Sequence, residues 1–219
     1  MEFKRITIIS GHYGSGKTNI AVNLAFDLKK QAENLALADI DIVNPYFRSK
    51  DSEEMLKKAG IRLICSEYAN SNVDIPALPQ DMYSVTDDKS LFSILDVGGD
   101  ERGALALGRI APKIREENDF DMLYVVNKFR PLTKDANSAI EIMREIEAAC
   151  GLEFTGIINN SNLGPETKIE DVLSSSQYAN EISKLTNLPI VLTTVEEKLF
   201  EPLKNKTKNL YPVSMQKKI

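Results

Sequence analysis

An α/β fold is what this sequence predicts: a doubly wound, mainly parallel sheet with helices on both faces. Three observations carry that reading. Short apolar runs alternate with longer stretches of helical periodicity along the whole chain. Most of the runs are apolar on both sides, as strands covered by helices must be. The 219 residues suit one large α/β domain, and a chain of this size hides about 70% of its unfolded surface without disulfides or a structural metal.

The strand-like runs are residues 3–10, 35–40, 61–66, 91–97, 122–127, 154–159 and 189–195. Helical stretches fall between them at about 17–32, 53–59, 103–117, 134–149 and 169–185. In the fourth, Ala136, Ile140, Met143, Ile146 and Ala149 recur at three- and four-residue steps, the stripe of a helix lying on a sheet. Strand–helix alternation implies right-handed crossovers. No internal repeat or linker divides the chain, so one domain is expected over 1–203, with a basic tail over 204–219. That tail is lysine-rich and interrupted by Pro212, and reads as a solvated final helix and a frayed end. The connection 67–89, with Pro76 and Pro79, is long for a compact domain and is the one candidate wall for a second substrate.

Composition excludes several functions. Net charge is −5 and the isoelectric point is near 5.1, so no global basic field draws the chain to nucleic acid or an anionic membrane. Cys65 and Cys150 lack C-x-x-C spacing, and the single histidine has no ligand partner nearby, which argues against a disulfide scaffold or a zinc site. No apolar run nears the ~18 residues of a membrane span. The start is charged at Glu2, Lys4 and Arg5, unlike a signal peptide. A cytoplasmic protein is expected.

One segment carries chemistry. Gly11-His12-Tyr13-Gly14-Ser15-Gly16-Lys17-Thr18 matches G-x-x-x-x-G-K-[ST] between a strand run and a helical stretch. Glycines let the backbone curl its N–H groups inward around phosphates, above a helix N-terminus. Gly11, Gly14, Ser15, Gly16, Lys17, Thr18 and Asn19 are the expected phosphate-binding residues. Lys17 would neutralise the β- and γ-phosphates, and the Thr18 hydroxyl would ligate Mg²⁺. Acidic residues close two strand runs: Asp39-Ile40-Asp41, with both carboxylates on one side of an extended chain, and Asp96-Val97-Gly98-Gly99-Asp100. Asp96 can hold Mg²⁺ through water, and Gly99 can offer its N–H to a γ-phosphate.

With these motifs in order, the sequence resembles the MinD/ParA/nitrogenase-iron-protein group of P-loop ATPases. More narrowly, it is similar to proteins with a CobQ/CobB/MinD/ParA nucleotide-binding domain. The resemblance runs from Phe3 to about Leu203 and includes Gly156-Ile157-Ile158-Asn159-Asn160. It implies Asp39 near the magnesium, Asp41 positioning the attacking water, Asp96 as the Walker B residue of a switch II segment, and Asn160 reading adenine. Two positions depart from the group. His12 stands where the MinD type has a second lysine that crosses a dimer interface, and Gly103 stands where the iron protein has its cluster cysteine. The resemblance implies a homodimer formed across bound nucleotide; the missing lysine leaves a different dimer or a monomer open.

Asn127-Lys128-Phe129-Arg130 begins like the guanine-reading N-K-x-D box, but Arg130 cannot accept hydrogen bonds from guanine N1 and N2. ATP is therefore expected over GTP. Tyr46, Phe47 and Arg48 follow the acidic pair where a first switch loop would run, and suit either a partner contact or the core. The expected function is a Mg·ATP-binding ATPase that hydrolyses slowly and acts on an unidentified protein partner through its switches, with Lys17 and Asp41 as the catalytic pair. The alternatives are an ATP-dependent synthetase or amidase acting on a small carboxylate, and a nucleotide-gated maturation or metal-insertion factor.

Overall fold

A computed structural model describes residues 3–40, 53–65, 78–99 and 101–214. The apolar runs form β1 (Ile6–Ser10), β2 (Leu35–Asp39), β3 (Arg62–Ile64), β4 (Phe92–Asp96), β5 (Phe120–Val126), β6 (Gly156–Asn159) and β7 (Ile190–Glu196), and β8 (Leu210–Val213) follows. The helices are α1 (Lys17–Lys29), α2 (Glu53–Lys58), α3 (Ser84–Asp87), α4 (Glu101–Gly108), α5 (Ala111–Glu117), α6 (Ala136–Cys150), α7 (Ile169–Thr186) and α8 (Glu197–Leu203). All eight strands join one sheet in the order β3-β2-β4-β1-β5-β6-β7-β8, and every pairing is parallel.

Side chains alternate across this sheet into two apolar layers. Ile6, Ile8, Met122 and Tyr124 face a layer completed by α4, α5, α6 and the middle of α7. Ile9, Leu123, Val125 and Ile158 face the opposite layer, completed by α1 and α2. Ile6, Ile8 and Ile9 are fully buried, and each such side chain contributes about 1.5–3 kcal/mol of transfer free energy. Because β1 sits between β4 and β5, the chain reverses its winding direction there. The carboxyl ends of strands flanking such a reversal open the crevice where α/β sheets bind ligands. The residues that follow β1 are therefore delivered to it.

Local chemistry sets the helix limits. Asp135 caps α6 by accepting from the Ser138 N–H at 2.9 Å, and Gly151, with φ 73°, ends it in the left-handed conformation. The helix expected over 103–117 is two helices: α4 stops at Gly108, and α5 starts with Pro112 in its first turn. Proline has no N–H to give the preceding turn, so it begins a helix rather than continuing one. The connection expected over 67–89 is partly built as well. In its described part a 3-10 turn, Gln80–Tyr83, leads into α3, and Met82 and Val85 enter the core.

The tail expected from 204 is corrected in part. Residues 210–213 extend the sheet as β8, parallel to β7. Pro212 is tolerated because β8 is an edge strand. The end of β8 is also clipped to α1. Tyr211 Oη donates to Asp27 Oδ2 at 2.5 Å, Asn23 Nδ2 donates to the Ser214 carbonyl at 3.1 Å, and the Ser214 N–H donates to Asn23 Oδ1 at 2.9 Å.

At the opposite end of β1, Arg5 is buried. Its Nη1 donates to the carbonyls of Val85 at 3.0 Å and Leu91 at 2.7 Å. Its guanidinium also forms a two-bond ion pair with Glu117, which Lys89 joins at 2.7 Å. This cluster pins the segment before β4 and the end of α5 to the foot of the central strand. Among the described residues no helix is long and apolar enough to cross a membrane.

Candidate functional site

The loop from Gly11 to Gly16 joins β1 to α1 at the winding reversal. The Ser15 N–H donates to the His12 carbonyl at 3.1 Å, and Ile20 N–H donates to the Gly16 carbonyl at 3.2 Å as the helix begins. Gly16 adopts φ 94°, and a Cβ there would lie 2.3 Å from Asn160 Nδ2. A Cβ on Gly11 would meet the Val125 carbonyl oxygen at 2.4 Å, so β5 packs directly on the start of the loop. Helix α1 has no side-chain cap at Gly16 and no acidic residue in its first turn. An ordinary helix start carries one or both. A 13-residue helix that begins without them, under a curled glycine loop, is built to receive an anion.

Lys17 and Thr18 open α1 and are both buried. Lys17 Nζ lies over the loop and donates to the His12 carbonyl at 3.3 Å. The Thr18 hydroxyl donates to Asp96 Oδ2 at 2.6 Å, and the Asp96 carboxylate is 1% exposed. Asp39 is level with Asp96 in the β2–β4 register, and Ile9 of β1 is level with Asp96 on its other side. The sheet thus aligns the two carboxylates at the strand ends beside the loop. Asn19 sits in the first turn of α1, where its carbonyl accepts from Asn23 Nδ2 at 2.7 Å.

The Asp96–Gly99 turn touches the loop through its backbone. A Cβ on Gly99 would lie 2.5 Å from the Tyr13 nitrogen and 2.7 Å from the Gly11 carbonyl oxygen. Gly103, in the first turns of α4, packs on Gly98 in the same way: a Cβ would approach its Cα to 2.8 Å. The position matching the iron protein's cluster cysteine therefore has no room for a side chain. Asp41 and the residues 44–48 lie outside the described residues.

Asn160 follows β6 and is buried. Its Nδ2 donates to the Ser15 carbonyl at 2.6 Å, and its Oδ1 accepts from Thr194 Oγ1 at 2.5 Å and from Asn162 Nδ2 at 3.2 Å. In this structure the amide braces the loop. Asn127 is buried too and spends its amide locally: Oδ1 accepts from the Phe129 N–H at 3.0 Å, and Nδ2 donates to the Asn162 carbonyl at 3.3 Å.

His12 is half-buried in the loop. Burial above all, then the Lys17 ammonium and the Arg130 guanidinium, hold its pKa below the ordinary histidine value. The neutral imidazole is favoured, so His12 does not add a cation to the site in this state.

A family model for the CobQ/CobB/MinD/ParA nucleotide binding domain matches residues 6–173, more than half of the chain. The chain belongs to this family. It is a P-loop nucleotide-binding domain of the MinD/ParA type. No curated protein matches the sequence. Among solved structures, this nucleotide-binding domain is similar to chloroplast FtsY from Physcomitrella patens, with a TM-score of 0.59 at 16% identity over 90% of this chain and 60% of that one. FtsY from Thermotoga maritima gives 0.56 at 19% identity, over 90% and 63%. The signal recognition particle receptor FtsY from Elizabethkingia anophelis, in complex with GDP, gives 0.55 at 18% identity, over 91% and 60%. These likenesses show the fold. The domain spans about three-fifths of the length of those chains.

Two contributors escaped the sequence reading. Thr194 holds the Asn160 amide from β7, and nothing in an apolar strand run distinguishes such a threonine. Arg130 was visible as a misfit to a guanine box, but not as a neighbour of the loop: a Cβ on Gly14 would lie 3.5 Å from its Cζ and Nε.

Proposed function

We propose that this domain binds Mg·ATP and hydrolyses it slowly, and that the change in its switch segments acts on a protein partner. The observation that carries the reading is the junction of the phosphate loop with the segment after β4. Thr18 Oγ1 bonds Asp96 at 2.6 Å, while Gly99 lies against the backbone of Gly11 and Tyr13. A γ-phosphate arriving at that junction would be felt by α4 through Gly98 and Gly103, the mechanical link a nucleotide switch needs.

The residues present fit a magnesium ion. Asp96 and Asp39 supply hard oxygen donors at one level of the sheet, and the Thr18 hydroxyl at the start of α1 bonds Asp96. No group of three or more His, Cys, Asp or Glu side chains fit to hold a metal occurs among the described residues. That suits an ion which keeps waters and takes its other ligands from phosphates. When bound, magnesium would be held by Thr18, Asp96 and Asp39 and would offset the negative charge of the phosphates. Lys17 contributes the loop's positive charge, and the loop N–H groups hold the phosphate oxygens. Asp41 is assigned the attacking water: the water's oxygen bonds the γ-phosphorus, the bond to the β–γ bridging oxygen breaks, and ADP and inorganic phosphate leave. Asn160 is assigned a place beside the adenine, where its Oδ1 would exchange its bond from Thr194 or Asn162 for one from the base.

GTP is the second reading, favoured by the GDP in the Elizabethkingia anophelis FtsY structure. ATP is preferred because Arg130 replaces the guanine-accepting aspartate and Asn127 spends its amide on the Phe129 N–H and the Asn162 carbonyl. We assign the domain a cytoplasmic setting, in keeping with two cysteines, Cys65 and Cys150, that lack C-x-x-C spacing. Calorimetric titration with ATP and GTP, paired with a phosphate-release assay, tests the reading. ATP binding by the wild type, with release lowered about 100-fold in Asp41→Ala, is expected. No heat with either nucleotide would end it.

A further inference from the structure

We propose that Arg130 is a second cation of the phosphate site, reaching over the loop from β5 to contact the terminal phosphate of a bound nucleoside triphosphate. This rests on the nucleotide-binding reading above and adds a contact residue to it. In chain order Arg130 is remote from the glycine loop. The sheet brings them together, because β5 pairs directly with β1.

The backbone around Arg130 is fixed at both sides. Its N–H donates to the Asn127 carbonyl at 3.1 Å, and its carbonyl accepts from the Thr133 N–H at 3.1 Å. Thr133 Oγ1 returns to the Asn127 carbonyl at 3.0 Å, and Lys128 N–H donates to Ser161 Oγ at 3.0 Å. The side chain on this pinned turn is exposed, yet its Cζ and Nε lie 3.5 Å from where a Cβ of Gly14 would stand. Among the described residues, no carboxylate pairs with it within 4.0 Å, which is also true of Arg102, Arg109 and Arg115, whereas Arg5, Arg62 and Arg144 each have one. Its field is felt at His12.

A guanidinium with no counter-ion among the described residues, in a loop region that also holds Lys17, gains electrostatically when an anion arrives. The chain has no second lysine in its loop, since His12 occupies that position and is held neutral. Arg130 supplies the missing charge from within the same chain. Its planar donors suit phosphate oxygens better than an ammonium does. The added charge favours the triphosphate over the diphosphate, because the terminal phosphate is the part the diphosphate lacks.

The test compares wild type, Arg130→Ala and Arg130→Lys by calorimetric titration with AMP-PNP, ADP, GMP-PNP and GDP in excess Mg²⁺. The wild type is expected to bind one triphosphate analogue more tightly than its diphosphate. In Arg130→Ala the triphosphate affinity should fall about tenfold or more, and the diphosphate affinity less than about twofold. Arg130→Lys should recover part of the loss, and all three proteins should share one melting temperature. Equal losses for both nucleotides, an unchanged preference, or a wild type with no preference would each overturn the role of Arg130. A wild type that binds none of the four would overturn the nucleotide reading as well, which separates the two failures.

Discussion

The Asn160 amide donates to the Ser15 carbonyl at 2.6 Å, joining residues 145 positions apart. Thr194 and Asn162 hold the other end of the same amide. One side chain therefore ties the ends of β6 and β7 to the phosphate loop, and the loop's curvature depends on a late part of the chain. Asn160→Ala would leave a buried carbonyl unmatched, so we expect a stability loss of about 1–3 kcal/mol in urea denaturation. Affinity for diphosphate and triphosphate should fall together in the same variant. Wild-type stability and affinity would show that the brace is dispensable.

Lys17 and Thr18 divide the phosphate work in the proposed mechanism. Lys17→Ala should abolish measurable nucleotide binding at micromolar protein, since it removes the one lysine in the glycine loop. Thr18→Val, which removes only the hydroxyl bonded to Asp96, should weaken the magnesium dependence of binding more than binding itself. Titrations with and without EDTA distinguish the two. A Thr18→Val protein that responds to magnesium like the wild type would remove Thr18 from the metal site.

Gly99 has no space for a methyl group, because the atoms it would meet belong to the loop backbone and cannot rotate away. Gly99→Ala should force the loop and the Asp96–Gly99 turn apart, at a cost of about 1–3 kcal/mol. We expect a lower melting temperature and a loss of phosphate release out of proportion to it. Gly103→Ala should show the same signature more weakly, as it acts through Gly98. If either alanine variant turned over normally, the contact would be no part of a switch.

The Arg5–Glu117 cluster predicts a pH dependence. The Arg5 guanidinium, bonded directly to the carboxylate and aided by Lys89, holds the Glu117 pKa below the usual range. A carboxyl whose pKa is depressed by folding contributes stability above its unfolded value, and that contribution is lost as pH falls through the folded value. Glu117→Gln should therefore flatten the decline in stability below about pH 4.5, the ordinary glutamate range, while lowering stability at pH 7. Arg5→Ala removes the ion pair and the donor to the Val85 and Leu91 carbonyls, for a loss of about 3–5 kcal/mol. Denaturation across pH 3–7 measures both effects.

The parallel sheet was legible because both-sided apolar runs have few other uses, and the phosphate loop because its spacing is tied to a strand on one side and a helix on the other. Thr18 bonds Asp96, and strand register sets Asp39 level with Asp96, because those two carboxylates end neighbouring strands. What stayed hidden depends on contacts with no local signature. Arg130 becomes interesting only once β5 is known to lie against β1. The break between α4 and α5 is marked in the sequence by Pro112 alone, while the apolar periodicity runs on across it. The strand β8 was masked by a proline and flanking lysines, which an edge position accommodates and a central one would not.

The paired bonds between Asn23 and Ser214, with Tyr211 on Asp27, couple the first helix to the last strand. Any tilt of that helix on engaging its anion would haul the sheet's outermost ribbon along with it. That edge of the sheet is thereby geared to its centre.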